Sequence, residues 1–197
     1  MTISINGSGT ITGLSAGGLP DSSVTTAEIA DANVTPAKLS QKLTSGTAVA
    51  STSGTSIDFT DIPSWVKRIT VMFSGVSTNG SSLKQVQIGD SGGIETTGYI
   101  SNAAITGPSS AGTSSTTGFV VQGSAGAIVV ETGAISIVLM SGTTWVASGA
   151  LSREDAAGYV SSMGGKKTLS ATLDRVRITT VNGTDTFDAG SINILYE

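Results

Sequence analysis

Apolar residues that recur at every second position constrain this chain more than any other feature. Between Val66 and Val76, Ile69, Val71 and Phe73 fall on one side while Arg68, Thr70 and Met72 fall on the other. A strand turns successive side chains to opposite faces, so this period predicts a half-buried strand. Val86 and Ile88 continue the theme, and Asn79-Gly80 between the two runs favours the primed turn of a hairpin. The run Leu173 to Thr180 repeats the arrangement, leading through Asn182-Gly183 into a strand with Ile192, Ile194 and Tyr196. Further apolar runs cover 127–130, 135–140 and 144–151, the second expected as a buried strand. Ser101 to Gly118 is rich in Ser, Thr and Gly and is expected as a long exposed loop. Short strands, Gly-rich turns and almost no helical pattern indicate an all-β fold. The expected form is an antiparallel, jelly-roll-like β-sandwich head over 45–197.

Residues 1–44 follow another rule. Leu14, Leu19, Val24, Ile29, Val34 and Leu39 fall every five residues, a spacing of neither strand nor helix. The second half is an approximate ten-residue repeat, Val24-Thr25-Thr26-Ala27-Glu28-Ile29 returning as Val34-Thr35-Pro36-Ala37-Lys38-Leu39. Thr25 followed by Glu28 has the form of a capping box, and Thr35 before Pro36 that of a capped first turn. A single turn is not stable alone, and one aliphatic per five residues makes no private core. A disordered linker is one reading. The unbroken period favours the other, an extended anchor or stalk whose six aliphatics face an axis shared by several copies.

Composition narrows the chemistry. Charged residues make up 12% of the 197, about half the usual share, while Ser and Thr supply roughly 30%. Such a surface is cheap to desolvate and does not repel its own copies, which suits self-packing. With net charge −4 and no basic cluster, nucleic acid is not an expected partner. No apolar stretch approaches the ~18 residues of a membrane span, and the start lacks a signal-peptide pattern. The chain has no cysteine, so disulfides and Cys-based metal sites are excluded.

Motifs for catalysis are incomplete. Gly89-Asp90-Ser91-Gly92-Gly93 matches the surroundings of a hydrolase serine, but that serine needs a histidine base and the chain has none. It is expected as a Gly-rich turn after the Val86–Ile88 strand. Gly164-Gly165-Lys166-Lys167-Thr168 falls short of a phosphate loop and is expected as a glycine turn. Glu154 with Asp155, and Asp185 with Asp188, lack the spacing of a hydrolytic pair or a calcium loop. No enzyme activity, cofactor or metal is expected. Tyr99, Trp145 and Tyr159 are the candidates for a ligand-facing aromatic surface, with glycan the ligand class.

The opening Ile5-Asn6-Gly7-Ser8-Gly9-Thr10-Ile11-Thr12-Gly13-Leu14, followed by Gly17-Gly18-Leu19-Pro20-Asp21, resembles the N-termini of tail-fibre-like proteins of tailed bacteriophages. The ten-residue unit looks like a repeat of such fibres, as does the stretch from Gly183 to Glu197. The resemblance covers both ends and not residues 77–165. It implies a virion protein, usually a homotrimer, docked by its N-terminus on other virion proteins of tail, portal region or capsid. The β head would face outward, toward a host-surface glycan. Capsid decoration or a head fibre is the alternative, and a tail-associated hydrolase a remote one.

Overall fold

The computed structural model describes residues 34–35, 38–39 and 42–197. The chain divides into two units, 1–40 and 41–197. In the first, the Lys38 N–H donates to the Thr35 carbonyl at 2.9 Å, a single turn, and Val34 and Leu39 are exposed. Leu14, Leu19, Val24 and Ile29 lie outside the described residues.

The second unit is all-β and antiparallel. Its strands begin with β1 (Thr44–Ser45), β2 (Val49–Ala50), β3 (Ser56–Phe59), β4 (Arg68–Thr78), β5 (Lys84–Asp90), β6 (Gly93–Ile94) and β7 (Ile100–Thr106). They continue with β8 (Ala111–Ser115), β9 (Phe119–Val120), β10 (Glu131–Ser141), β11 (Thr144–Arg153), β12 (Val160–Thr168), β13 (Leu173–Thr180) and β14 (Phe187–Tyr196). The large sheet runs β1-β14-β4-β10-β11-β12-β7-β8, with β2 also on β14; the small sheet runs β3-β13-β5-β6, with β9 also on β5.

One core lies between the sheets. The large sheet contributes Ile69, Val71, Phe73, Ile135 and Ile137; the small sheet contributes Val86, Ile88, Val176 and Ile178. Ile69, Val71 and Phe73 are inward and Arg68, Thr70 and Met72 outward, as the alternation predicts. β10 differs from the expected buried strand. Ile135 and Ile137 are buried, but Val138 and Met140 are exposed, because the strand faces solvent on one side.

Both Asn-Gly dipeptides depart from expectation. Neither closes a hairpin: β4 and β14 belong to the large sheet, β5 and β13 to the small one. Asn79 and Gly80 both lack positive φ, so no primed turn forms. β4 already pairs with β10 and β14, which leaves no edge for β5. The two crossings instead brace each other. The Asn79 N–H donates to the Thr186 carbonyl and the Thr186 N–H to Asn79 Oδ1, both at 2.9 Å. The Ser82 N–H donates to Asp185 Oδ2 at 2.8 Å. A side chain at residue 80 would run into that carboxylate, with a Cβ only 2.1 Å from it.

Three further segments correct the sequence reading. Ser101 to Gly118 is no long loop, since β7 and β8 pair within it from Ser101↔Ser115 to Ile105↔Ala111. Its inward positions include Ser101 and Ala103, too small to display an apolar alternation, although both are buried. Ala127 and Ile128 form a turn with Ile128 exposed, so the run 127–130 is not a strand. Gly164 and Gly165 sit inside β12 and not in a turn.

Candidate interaction face

Two of the three candidate ligand-facing aromatics are core residues. Tyr99 is 1% exposed. Its hydroxyl accepts from the Ile88 N–H at 2.8 Å and faces the carbonyls of Ile88 and Glu95 at 3.1 and 2.9 Å. Phe119 meets its ring edge-on at 5.0 Å, and burial raises the phenol above its ordinary range. Trp145 is 3% exposed because it shares the inward side of β11 with Ala147 and Leu151. Neither presents a surface to a ligand.

Tyr159 remains partly exposed, between β11 and β12. Its hydroxyl lies 3.1 Å from Ser109 Oγ, on the turn between β7 and β8, and Arg153 stands over the ring at 5.2 Å. A side chain at residue 107 would strike this ring, with a Cβ 2.6 Å from Tyr159 Cδ1. Gly107 therefore lets the two turns close against each other. Arg153 also grips Asp155, whose other bond is to the Val130 N–H at 2.9 Å. The Arg153 hydrogen bond is the main cause holding Asp155 below its ordinary range, against the opposing effect of burial.

The serine motif forms the expected turn. Ser91-Gly92 connects β5 to β6, where Asp90 pairs with Gly93. Asp90 accepts from Ser170 Oγ at 2.6 Å and from the Gly92 N–H at 2.8 Å, with Ser170 the main cause lowering its pKa. Asp90 thus staples the turn to the segment before β13. Glu154 faces Thr132, Asp155 faces Arg153, Asp185 joins Asn182 and Ser82, and Asp188 bonds Ser77. Among the described residues, no three His, Cys, Asp or Glu are grouped to hold a metal. No helix among them is long and apolar enough to cross a membrane.

The most unusual surface is the outward face of the large sheet. Register places Thr70, Ser136, Ser148, Gly164, Asn102 and Ser114 in one row across six strands. The next row holds Met72, Ala134, Ala150, Ser162, Ala104 and Gly112. All are exposed or half-buried, and none is charged. A third row carries Arg68, Val138, Val146, Lys166 and Ile100, in which three aliphatics are exposed. Val160 adds another exposed aliphatic on this side of β12.

Two adjacent glycines distinguish what the fold needs from what it does not. Gly165 faces inward, and a Cβ there would lie 2.5 Å from the Ile100 carbonyl and 3.0 Å from the Phe119 ring. Gly164 faces outward, and its nearest atom would be the Ala147 carbonyl at 3.9 Å, an ordinary contact. Its φ is not positive, so neither backbone nor neighbours require glycine. Glycine inside a strand weakens it and marks places where another backbone approaches closely. Sequence reasoning missed this face because it sought apolar alternation, whereas the outward positions alternate in small size and lack of charge.

Comparison with protein-family models, curated proteins and solved structures finds no match to this chain.

Proposed function

We propose that the chain is a small fibre or attachment protein of a tailed-phage virion, without catalytic function. It assembles as a homotrimer and docks through its N-terminal segment on other virion proteins. The outward face of the large sheet, with two charge-free rows beside a row that holds Arg68 and Lys166, carries the assembly part of this reading. Six strands at about 4.8 Å and three outward rows, about six residues at about 3.4 Å, give roughly 600 Å². That approaches the ~800 Å² each partner contributes to a standard interface. A densely charged partner would leave its charges unpaired over the two charge-free rows, whereas another copy brings only Arg68 and Lys166, in the row at one side. Copies of this chain are therefore its occupants. The phage assignment rests on the likeness of both ends to tail-fibre-like proteins, and the period of five from Leu14 to Leu39 fits several copies around an axis.

The turns at 107–110 and 154–159, which meet around Tyr159, form the outward tip in this reading, with a host-surface glycan as ligand. Sedimentation of the full chain checks the assembly, with a trimer expected and a monomer at micromolar concentration overturning it. Antibody-labelled electron microscopy of particles checks the place. Label at the tail supports attachment; label spread over the capsid overturns it in favour of shell decoration. A glycan array on the wild-type chain and Tyr159→Ala tests the tip, with loss of signal in the variant expected.

A further inference from the structure

The best-sealed ion pair joins the two sheets through the core. Lys84 opens β5 of the small sheet and Glu131 opens β10 of the large sheet. Each side chain is 1% exposed, with Lys84 Nζ 3.4 Å from Glu131 Oε2. Nζ also donates to the Val129 carbonyl at 3.3 Å. Neither Glu131 oxygen accepts a hydrogen bond. An ion pair this long and this poorly satisfied is a weak stabiliser, because burial removes both charges from water without replacing their solvation.

We propose that Lys84 and Glu131 are joined by an intramolecular amide that ties the small sheet to the large one. The Lys84 amine stands 3.4 Å from a Glu131 carboxylate oxygen, the two side chains held against each other by strands of two different sheets. Burial pushes the Glu131 carboxyl up to about 7, with Lys84 opposing, and burial likewise lowers the Lys84 ammonium against the pull of Glu131. Asp155 and Asp188 act on Lys84 from farther off, and Arg153 and Asp155 on Glu131. Proton transfer from Nζ to the carboxylate therefore yields the neutral amine and acid, the forms that condense.

The Nζ lone pair forms a bond to Cδ of Glu131, and a Cδ–O bond breaks. The departing oxygen keeps the acid proton and takes one from nitrogen, leaving as water. One N–H remains on the amide, directed at the Val129 carbonyl that already accepts from Nζ. Nothing is oxidised or reduced, and no co-reactant is needed. The product buries no charge and covalently links two sheets in a chain without cysteine.

Mass spectrometry of the denatured wild-type chain, after it has been held folded at pH 7, tests this directly. The expected mass is below that of the sequence by one water, and proteolysis should release a branched peptide joining the segments around 84 and 131. An unmodified mass with two separate linear peptides overturns the proposal, whatever the oligomeric state. Lys84→Arg keeps the charge but removes the primary amine, so it should restore the full mass. If that variant still loses one water, the loss lies elsewhere and the assignment falls.

Discussion

The two sheets turn opposite kinds of surface outward. On the small sheet the outward side is polar and covered. The Gln87 amide donates to the Thr117 carbonyl at 2.9 Å, Thr117 Oγ1 donates to Gln85 Oε1 at 3.1 Å, and Gln85 donates to the Thr180 carbonyl at 3.3 Å. Beside them Arg177 forms a two-pronged pair with Asp58, both bonds at 2.7 Å. The large sheet's outward side has two rows without charge, bare aliphatics at Val138, Val146 and Ile100, and a glycine the fold does not need. The small sheet satisfies its polar groups within the chain. The large sheet leaves an uncovered surface, which the proposed assembly would cover with another copy.

Charging that flat face is the strongest way to break the contrast. Ala150→Glu, between Ala134 and Ser162 in a charge-free row, points into solvent in the single chain, so its thermal unfolding should change little. In the proposed assembly it would bury like charges near one another, and self-association should weaken by about 100-fold or more. Sedimentation over a concentration series measures this; undiminished association would remove the face from the interface. Next in size is Gly165→Ala. Its Cβ meets backbone on the inward side, so the fold should lose about 1–3 kcal/mol in denaturant titration.

Gly164→Ser, one residue away, sharpens the difference. The fold should be unharmed or gain up to about 0.5 kcal/mol from the stiffer chain, while association weakens by about tenfold as the backbones are held apart. A stability loss matching that of Gly165→Ala would show that both glycines serve the fold alone. The smallest effect belongs to the small sheet. Arg177→Ala breaks a pair that is more than one-third exposed, so it should cost below about 1 kcal/mol and leave the oligomer intact. Added salt should shrink that loss further.

Particular residues show how far the sequence could be followed. Ile69, Val71 and Phe73 announced both their strand and its buried side, because large aliphatic and aromatic groups at period two have one good solution. Ser101 and Ala103 gave no such signal. Their burial follows from the close packing of β7 under β9, where Ser101 Oγ accepts from the Val120 N–H at 3.0 Å. Trp145 and Tyr99 illustrate the same limit for the site. An aromatic among small and polar residues looks like a surface platform until strand register, for Trp145, or the packing of the segment before β7, for Tyr99, turns it inward. Lys84 and Glu131 are farther out of reach, since nothing local tells a lysine and a glutamate in distant strands that they will meet inside a core.

By itself the sequence determined the all-β class, the half-buried strands and the Ser91-Gly92 turn. Each depends on residues adjacent in the chain, whose sterics and solvation do not wait for the rest of the molecule. Only the tertiary structure decided which strands pair. It sent both Asn-Gly segments across from one sheet to the other, because β4 and β13, which lead into them, each had both edges already paired. It also aligned Ser136, Ser148, Gly164 and Asn102 into one row, from four strands that share no sequence pattern. A face of that kind is a property of register, and register is fixed by long-range burial.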